Sequence, residues 1–237
     1  PEAPDAPLKL AIVGRPNAGK STLINRLLGE NRLITGPEAG ITRDSISIDW
    51  IWHDERATEP GLTERKVRLI DTAGMRKRAK ITDKLEKLAV ADARHAIDFA
   101  EVVVLLLDAT KGLELQDLKI ADHVVDEGRA LIIAINKWDI AENASSLFNG
   151  IRSALEEGLS QLKGVPMIAV SAATGKGLDQ MLTAAFAARE AWSRRVSTGA
   201  LNRWFETAVE TNPPPSHGGK RIKLRYITQA KTRPPGF

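Results

Sequence analysis

Residues 14–22 read Gly14-Arg15-Pro16-Asn17-Ala18-Gly19-Lys20-Ser21-Thr22, which fits the phosphate-loop pattern G-x-x-x-x-G-K-[ST]. The apolar segment Leu8–Val13 precedes it, and a helix is predicted to follow from Ser21 to Leu28. Glycines let successive backbone N–H groups point inward around a phosphate, and the N-terminus of a helix adds partial positive charge. Lys20 can reach the outer phosphates of a nucleotide, and the hydroxyl of Ser21 can be offered to Mg²⁺.

Alternating strand and helix patterns surround this loop. Short apolar runs predict strands at Leu8–Val13, Val67–Ile70, Val102–Leu107, Ala130–Ile135 and Pro166–Val170. These runs alternate little between polar and apolar residues, which is typical of strands buried on both faces of a parallel sheet. Helices are predicted at 83–99, 147–162 and 178–185, and in the first of these Leu85, Leu88, Ala89, Ala96 and Phe99 fall on roughly one face. The pattern predicts a doubly wound α/β domain that binds its ligand at the carboxyl ends of the strands.

One predicted strand differs from the others. Residues 46–53 alternate with a period of two, and Trp50 and Trp52 fall on the same face. This period is typical of a half-exposed strand at the edge of a sheet. A polar turn around Pro60 joins it to the next strand, so we expect an antiparallel hairpin.

Three polar motifs follow predicted strands. Asp71-Thr72-Ala73-Gly74 can hold Mg²⁺ through its Asp and sense the terminal phosphate through the Gly74 N–H, although alone it could be an Asx turn. In Asn136-Lys137-Trp138-Asp139, Asp139 can accept hydrogen bonds from the ring N1–H and the 2-amino group of guanine, and adenine lacks both donors. The Lys137 stem can cover the base, Asn136 can tie loops together, and a backbone N–H of Ser171-Ala172-Ala173 can bind the guanine oxygen. The order of these motifs predicts a guanine-nucleotide site.

Composition excludes several other classes of protein. The 237 residues are 43% hydrophobic and 27% charged, which is typical of a soluble globular chain. The lack of cysteine excludes disulfides, thiolate metal sites and cysteine nucleophiles, and the four histidines show no ligand spacing, which disfavours a zinc site. No apolar run is long enough to cross a bilayer, and residues 1–7 read as a linker rather than a signal peptide, as in an excised fragment.

The net charge of +4 is unevenly distributed. Residues 1–188 carry 24 basic and 27 acidic side chains, whereas residues 189–237 carry 10 and 3. A boundary is expected near residues 194–199, followed by a helical stripe of Leu201, Trp204, Phe205 and Ala208 that starts near Thr198 and stops at Pro213. A strand is predicted at Lys220–Tyr226, with Leu224 and Tyr226 on one face. The basic charge therefore belongs to a separate C-terminal part, for which we expect nucleic acid as a partner.

The ordered motifs, with Thr42 between the first two, resemble the five G motifs of the translation-factor-like (TRAFAC-class) P-loop GTPases. The phosphate loop, Gly40-Ile41-Thr42-Arg43-Asp44 and Asp71-Thr72-Ala73-Gly74-Met75-Arg76 are similar to the Era/Der/MnmE group. Residues 212–217 and 228–235 resemble the C-terminal KH-like domain of the Der (EngA) family of bacterial ribosome-assembly GTPases. An MnmE-type domain is disfavoured because the helical domain and C-terminal Cys of that family are missing.

The resemblance implies a domain organisation. Residues 1–7 would be a linker, residues 8–192 the second of two tandem G domains, and residues 193–237 the incomplete N-terminal portion of an α+β KH-like domain. It also implies hydrolysis of GTP to GDP and phosphate during assembly of the large (50S) ribosomal subunit in the cytoplasm. The implied partners are GTP, GDP, the large subunit with its rRNA and the missing first G domain, with no membrane.

The same resemblance assigns residues to the site. Mg²⁺ would be held by Ser21, Thr42 and Asp71, and K⁺ by Asn17, which could instead be a turn-stabilising residue. The catalytic residues would be Lys20, Asn17, Thr42 and Gly74. The nucleotide contacts would be Gly14, Arg15, Pro16, Asn17, Ala18, Gly19, Lys20, Ser21, Thr22, Asp71, Thr72, Ala73, Gly74, Asn136, Lys137, Asp139, Ser171, Ala172 and Ala173.

Two points leave alternatives open. Ras-like GTPases place Gln where Met75 stands here, and a thioether does not orient water as an amide does, so we expect slow intrinsic hydrolysis. The alternative function is a guanine-nucleotide-sensing module that binds RNA or ribosomes and hydrolyses little GTP. The run Arg76-Lys77-Arg78-Ala79-Lys80 is either a solvated loop or a contact with RNA or the neighbouring domain that changes with the nucleotide.

Overall fold

The computed structural model describes residues 6–30, 47–54, 63–70, 93–159, 164–215 and 224–237. The chain forms two compact units, Pro1–Arg189 and Glu190–Phe237. The strands are β1 (Leu8–Val13), β2 (Ile48–His53), β3 (Glu64–Leu69), β4 (Val102–Asp108), β5 (Ala130–Asn136), β6 (Met167–Ala169), β7 (Lys231–Thr232) and β8 (Pro235–Gly236). The helices are α1 (Lys20–Glu30), α2 (Leu115–Asp126), α3 (Ala144–Gly158), α4 (Leu178–Ser193) and α5 (Thr198–Thr211), with a short 3₁₀ turn at Trp138–Ile140 and helical residues at 93–99.

The described residues of the first unit form one mixed sheet of six strands in the order β2-β3-β1-β4-β5-β6. All neighbouring pairs are parallel except β2 and β3, which pair antiparallel from Ile48 opposite Leu69 to His53 opposite Glu64. The predicted parallel sheet, its edge strand and the antiparallel pairing are therefore confirmed. The predicted turn around Pro60 lies outside the described residues.

Each central strand supplies side chains to two hydrophobic cores. Val102, Val104 and Leu106 of β4 pack in a core with α1 and α4, whereas the intervening residues face a second core. The second core contains the helical residues 93–99 together with α2 and α3. Because both faces are covered, β4 and β5 need an apolar residue at nearly every position, which explains their unbroken apolar runs.

The edge strand β2 follows its period-two pattern. Trp50 and Trp52 are fully buried, and His53 is exposed. The Trp52 ring stacks on Phe186 of α4 with centroids 5.8 Å apart, and its indole N–H donates to Asp179 Oδ1 at 3.1 Å. Burying a Trp is favourable when its N–H finds an acceptor, so α4 provides both the apolar surface and the hydrogen bond.

The buried face of one helix differs from the prediction. In the predicted helix 83–99, only residues 93–99 are described, and they are helical. Ala93, Ala96, Ile97 and Ala100 are buried, but Phe99 is 57% exposed. Residues at positions i, i+3, i+4 and i+7 form one helical stripe, and Phe99 lies outside it. The predicted face was therefore wrong at Phe99, and the residues of this helix before 93 lie outside the described part.

The second unit contains α5 and a short hairpin of β7 and β8. The Ser197 hydroxyl accepts a hydrogen bond from the Ala200 N–H at 3.3 Å, so Ser197 caps the N-terminus of α5, one residue before the predicted start. Leu201 is buried, but Trp204 is 62% exposed, so the predicted stripe was wrong at Trp204. Within the described residues of both units, no helix is long and apolar enough to cross a membrane.

The predicted strand Lys220–Tyr226 is also wrong where the structure describes it. Residues 224–226 form no strand, Leu224 and Tyr226 are at least half exposed, and residues 220–223 lie outside the described part. A strand requires a neighbouring ladder of backbone partners. Just after this segment, the backbone of Ile227 pairs with a side chain instead: the Asn202 amide oxygen accepts from the Ile227 N–H at 3.0 Å, and the Asn202 amide N–H donates to the Ile227 carbonyl at 2.9 Å.

Candidate nucleotide-binding site

Three of the predicted site loops meet at one edge of the sheet. The loop 14–19 follows β1, residues 136–139 end β5 and continue from it, and residues 171–173 come just after β6. These strands run parallel, so their carboxyl ends lie on the same edge, where open α/β sheets bind their ligands. The predicted residues Thr42, Asp71, Thr72, Ala73 and Gly74 lie outside the described part of the chain.

The phosphate loop has the backbone shape of an anion cradle. Asn17 has φ +63° and Gly19 has φ +98°, both in the left-handed region. The Lys20 ammonium donates to the carbonyl oxygens of Gly14 and Arg15, each at 2.6 Å. The loop thus wraps around the lysine at the N-terminus of α1, where the helix adds partial positive charge. Pro16 and Asn17 lie at the tip of the loop, and Ser21 and Thr22 occupy the first turn of α1 and are exposed.

Gly14 is required by the strand beside it. A Cβ atom on Gly14 would lie 2.4 Å from the backbone carbonyl oxygen of Leu106 in β4. β4 is a central strand and cannot move away without breaking its ladder with β5. The loop can therefore leave β1 at this angle only if residue 14 is glycine.

Asn136 joins two of the three loops. Asn136 is buried, and its side-chain amide donates to the Ala18 carbonyl at 2.8 Å and accepts from the Ala172 N–H at 2.9 Å. A Cβ on Gly19 would lie 2.2 Å from the Asn136 amide nitrogen, so glycine at position 19 makes room for this side chain. The structure thus brings the phosphate loop and residues 171–173 together through Asn136.

Lys137 is held by a partner that sequence reasoning missed. Lys137 has left-handed φ and ψ of 63° and 30°, and its ammonium contacts Asp108 Oδ2 at 2.6 Å. Asp108 ends β4 and also accepts from the N–H and hydroxyl of Thr110 at 2.9 and 2.6 Å. Burial opposes the charge of Asp108, but the hydrogen bonds from Lys137 and Thr110 outweigh it and hold the pKa of Asp108 below its ordinary value.

Asp139 lies in the 3₁₀ turn Trp138–Ile140, and its side chain is exposed. The neighbouring Trp138 anchors this turn, because its backbone N–H donates to the Val170 carbonyl at 3.1 Å and its ring contacts Phe148 edge to face. A fixed turn with an exposed carboxylate is suited to accept two hydrogen bonds from a ligand.

The loop 171–173 is fixed from both sides. The Ser171 N–H donates to the Lys176 carbonyl at 2.9 Å, and the Ser171 hydroxyl accepts from the Thr174 N–H at 3.1 Å. The Arg26 guanidinium of α1 donates to the carbonyls of Ala172 and Ala173. Because the Ala172 N–H already donates to Asn136, any bond from it to a guanine oxygen would be shared with that contact. Arg26 carries no motif signature, and only the folded chain identifies it.

The Arg15 side chain does not face the interior of the loop. Its guanidinium contacts Asp117 through Nε at 2.9 and 3.0 Å and Glu114 at 2.5 Å, both at the N-terminus of α2. Burial opposes the charge of Arg15, but these carboxylates outweigh it and hold the pKa of Arg15 above its ordinary value. The predicted nucleotide contact at Arg15 can therefore come from its backbone, whereas its side chain is an anchor.

Two donors suit the expected cations. The exposed hydroxyl of Ser21 and the exposed amide oxygen of Asn17 are hard oxygen ligands, which Mg²⁺ and K⁺ prefer over nitrogen and sulfur.

Away from the site, Asp98, His123 and Glu127 bring three ligand atoms within 4.8 Å of one another, which the spacing of the histidines had not indicated. Asp98 and Glu127 are exposed, and the Arg129 guanidinium on the Asp98 carbonyl adds positive charge there, which opposes a cation.

Two protein-family models match separate parts of the chain. Residues 9–137 match the family model of the 50S ribosome-binding GTPases, and residues 195–237 match that of the C-terminal KH-domain-like region of EngA bacterial GTPase enzymes. GTPase Der of Novosphingobium aromaticivorans is 73% identical over 234 residues, which cover 99% of this chain and 50% of that protein. GTPase Der of Ruegeria pomeroyi is 56% identical, covering 98% and 46%. The chain spans about half the length of these relatives.

Solved structures agree on the fold. A structure of Era in complex with MgGDPNP and nucleotides 1506–1542 of 16S ribosomal RNA shares 28% identity at a TM-score of 0.50, covering 73% of this chain and 54% of that one. Elongation factor SelB from Methanococcus maripaludis, in complex with a GTP analogue, shares 20% identity at a TM-score of 0.53, covering 77% and 34%, which shows the fold alone. The chain thus has the P-loop GTPase fold; it belongs to the 50S ribosome-binding GTPase family and resembles GTPase Der over 99% of its length.

Proposed function

We propose that this chain binds GTP at the described edge of the sheet, hydrolyses it to GDP and phosphate, and acts in assembly of the large ribosomal subunit in the cytoplasm. The observation that carries the proposal is the Asn136 bridge, which brings the phosphate loop beside the residues suited to bind guanine. Residues 8–192 would form the GTPase domain and residues 193–237 the first portion of a KH-like domain. Its partners would include the first G domain that the family resemblance implies.

The described residues supply electrostatic stabilisation rather than covalent chemistry. Phosphoryl transfer requires positioning and neutralisation of charge on the phosphate oxygens. Lys20 and the N–H groups at the start of α1 are fixed before the nucleotide arrives, so little reorganisation is needed as charge develops. Ser21, with Thr42 and Asp71, would hold Mg²⁺, which when bound neutralises the charge of the outer phosphates. Gly74 would contact the terminal phosphate through its N–H.

Ribosomal RNA as a partner is supported by the second unit. Residues 190–237 carry nine basic and three acidic side chains, and Trp204 and Tyr226 are each more than 60% exposed. Basic charge neutralises phosphates, and exposed aromatic rings can stack on unpaired bases.

The first prediction concerns the choice of nucleotide. In the presence of Mg²⁺, the chain is expected to bind GTP at least about a hundredfold more tightly than ATP, because adenine would leave the Asp139 carboxylate without donors. Competition against fluorescent GDP measures both affinities. Equal affinities for GTP and ATP would contradict a guanine site.

Hydrolysis separates the two candidate functions. The second candidate, a nucleotide sensor with little hydrolysis, is favoured by Met75 in place of the water-orienting Gln. Single-turnover GTP hydrolysis would be measured with and without purified large ribosomal subunits. Acceleration by the subunits supports the enzyme, whereas binding to them without acceleration supports the sensor.

The second prediction concerns K⁺. GTP hydrolysis is expected to be at least about tenfold faster in KCl than in NaCl, because a cation held by Asn17 would stabilise charge as an oxyanion-hole donor does. Asn17→Ala should remove the difference. Asn143→Ala is the matched control, since Asn143 is also exposed and left-handed (φ 50°) but lies at the start of α3. Equal rates in the two salts would exclude the K⁺ mechanism, and a K⁺ effect retained in the Asn17 variant would exclude Asn17 as its ligand.

A further inference from the structure

The phosphate loop is tied to α2 by a buried ion pair. Asp117 in the first turn of α2 is fully buried, and its two carboxylate oxygens lie 3.0 and 2.9 Å from Arg15 Nε. The two residues are separated by 102 positions in the chain. Arg15 itself is 91% buried and also donates to the Gly112 carbonyl at 3.3 Å. A buried charge of this kind is tolerated only when it is paired and its hydrogen bonds are satisfied.

Asp117 is also fixed within α2, because its carboxylate caps the N-terminus of that helix. The same carboxylate accepts the backbone N–H of Glu114 at 3.0 Å, which caps the N-terminus of the helix. Glu114 in turn contacts the Arg15 guanidinium at 2.5 Å. The guanidinium is therefore held by two carboxylates and a carbonyl, all from residues 112–117, so its position is set by α2 rather than by solvent.

This anchor acts on the part of the loop that holds Lys20. The Arg15 carbonyl accepts the Lys20 ammonium at 2.6 Å, and the Gly14 carbonyl beside it accepts the same group. A displacement of the Arg15 backbone would therefore move both acceptors of Lys20. A contact chain leads from Asp117 through Arg15 to the group expected on the outer phosphates.

The base-binding loop is anchored to the same segment of chain, the connection between β4 and α2, at a different point. Asp108, which ends β4, holds Lys137 with its carboxylate. The backbone carbonyl of Asp108 accepts the N–H groups of Lys111 and Gly112 at 3.0 and 2.9 Å. The segment 108–117 thus contacts the phosphate loop through Asp117 and the base-binding loop through Asp108. Neither carboxylate belongs to a nucleotide motif.

We propose that Asp117 is a positioning residue for the phosphate half of the site, acting through Arg15 on the loop that holds Lys20. The proposal rests on the proposed function, since it requires that the loop bind nucleotide phosphates. It predicts that loss of the Asp117 charge weakens the grip on the β-phosphate more than the grip on the rest of the nucleotide. A purely structural role would lower stability without changing this ratio.

The test compares GDP with GMP on the full chain. Asp117→Asn keeps the shape of the side chain and removes its charge. Competition against fluorescent GDP is expected to show about a tenfold loss of GDP affinity, the lower end of what loss of a supporting residue costs a site. GMP affinity should change by less than about twofold, because GMP has no β-phosphate and its other contacts with the site stay intact. A GDP-to-GMP affinity ratio equal to that of the unmodified chain would overturn the proposal.

Three further variants make the outcome specific. Val124→Ala, in the same helix and fully buried, should lower stability while leaving the ratio unchanged, and a change of ratio there would overturn the proposal. Asp108→Asn should weaken GDP and GMP alike, because it releases Lys137. Arg15→Lys keeps the charge but loses the planar fork, and it should lower the ratio even if Asp117→Asn does not fold. If the unmodified chain binds no GDP, the proposed function fails, independently of Asp117.

Discussion

Replacing Asp139 with Asn is expected to lower the affinity for GTP by at least about a hundredfold and to raise the affinity for xanthosine triphosphate. A charge-assisted hydrogen bond contributes about 1.5–3 kcal/mol, and guanine would offer two donors to this carboxylate. The amide of Asn carries N–H donors, which cannot hydrogen-bond to the N–H donors of guanine. Xanthine has an oxygen at position 2, which can accept a hydrogen bond from this amide. The turn at Trp138–Ile140 holds the side chain exposed, so the substitution removes no internal contact described for Asp139.

Glu142→Gln is the matched control for the Asp139 variant. Glu142 lies three residues further along, is exposed, and would lose one negative charge from the same neighbourhood. Its affinities for GTP and xanthosine triphosphate should match those of the unmodified chain. If both variants lowered GTP affinity equally, the effect would be one of general electrostatics. If neither did, the guanine would be recognised elsewhere.

Gly14→Ala is expected to cost about 3 kcal/mol of unfolding free energy, the sum of overpacking and backbone strain, and to abolish measurable nucleotide binding. The added Cβ would lie 2.4 Å from the Leu106 carbonyl, and φ at this position is +150°. The obstacle is the backbone of a central strand, which cannot change rotamer to make space. Chemical denaturation and competition against fluorescent GDP measure the two effects.

Gly150→Ala provides the control for Gly14→Ala. Gly150 lies inside α3, and a Cβ there would meet no atom within 4 Å. Alanine should raise stability by about 0.5–1 kcal/mol, because it loses less conformational freedom than glycine on entering a helix. Equal stabilities of the two alanine variants would contradict the close approach of the loop to β4.

The sheet was predictable because the polarity pattern of each strand depends on how many of its faces are buried. The apolar run Val102–Leu107 indicates burial on both faces, and the alternation around Trp50 and Trp52 indicates burial on one. The loops of the site were predictable because each motif follows a predicted strand, and parallel strands bring their carboxyl ends to one edge. Both inferences use only local spacing and a general rule of topology.

The supporting contacts were not predictable in this way. Arg15 with Asp117, Lys137 with Asp108 and Arg26 with Ala172 join residues 102, 29 and 146 positions apart. A charged residue in a sequence has the same appearance whether its partner is water or a buried carboxylate. The tail shows the same limit, because the alternation at 220–226 predicts a strand only if another strand pairs with it, and the described residues 224–226 form no strand.

The Asn136 bridge has a consequence for how this protein can change over evolutionary time. The Asn136 amide occupies the space that a side chain on Gly19 would need. It also donates to the Ala18 carbonyl and accepts from the Ala172 N–H. Substitutions at positions 19 and 136 are therefore epistatic. A larger residue at 19 would be strained by φ +98° in any background, and it would also collide with residue 136 unless that side chain were smaller. A smaller residue at 136 would release the loop at Ala172. Each single step passes through a damaged intermediate, which confines neutral drift at these positions.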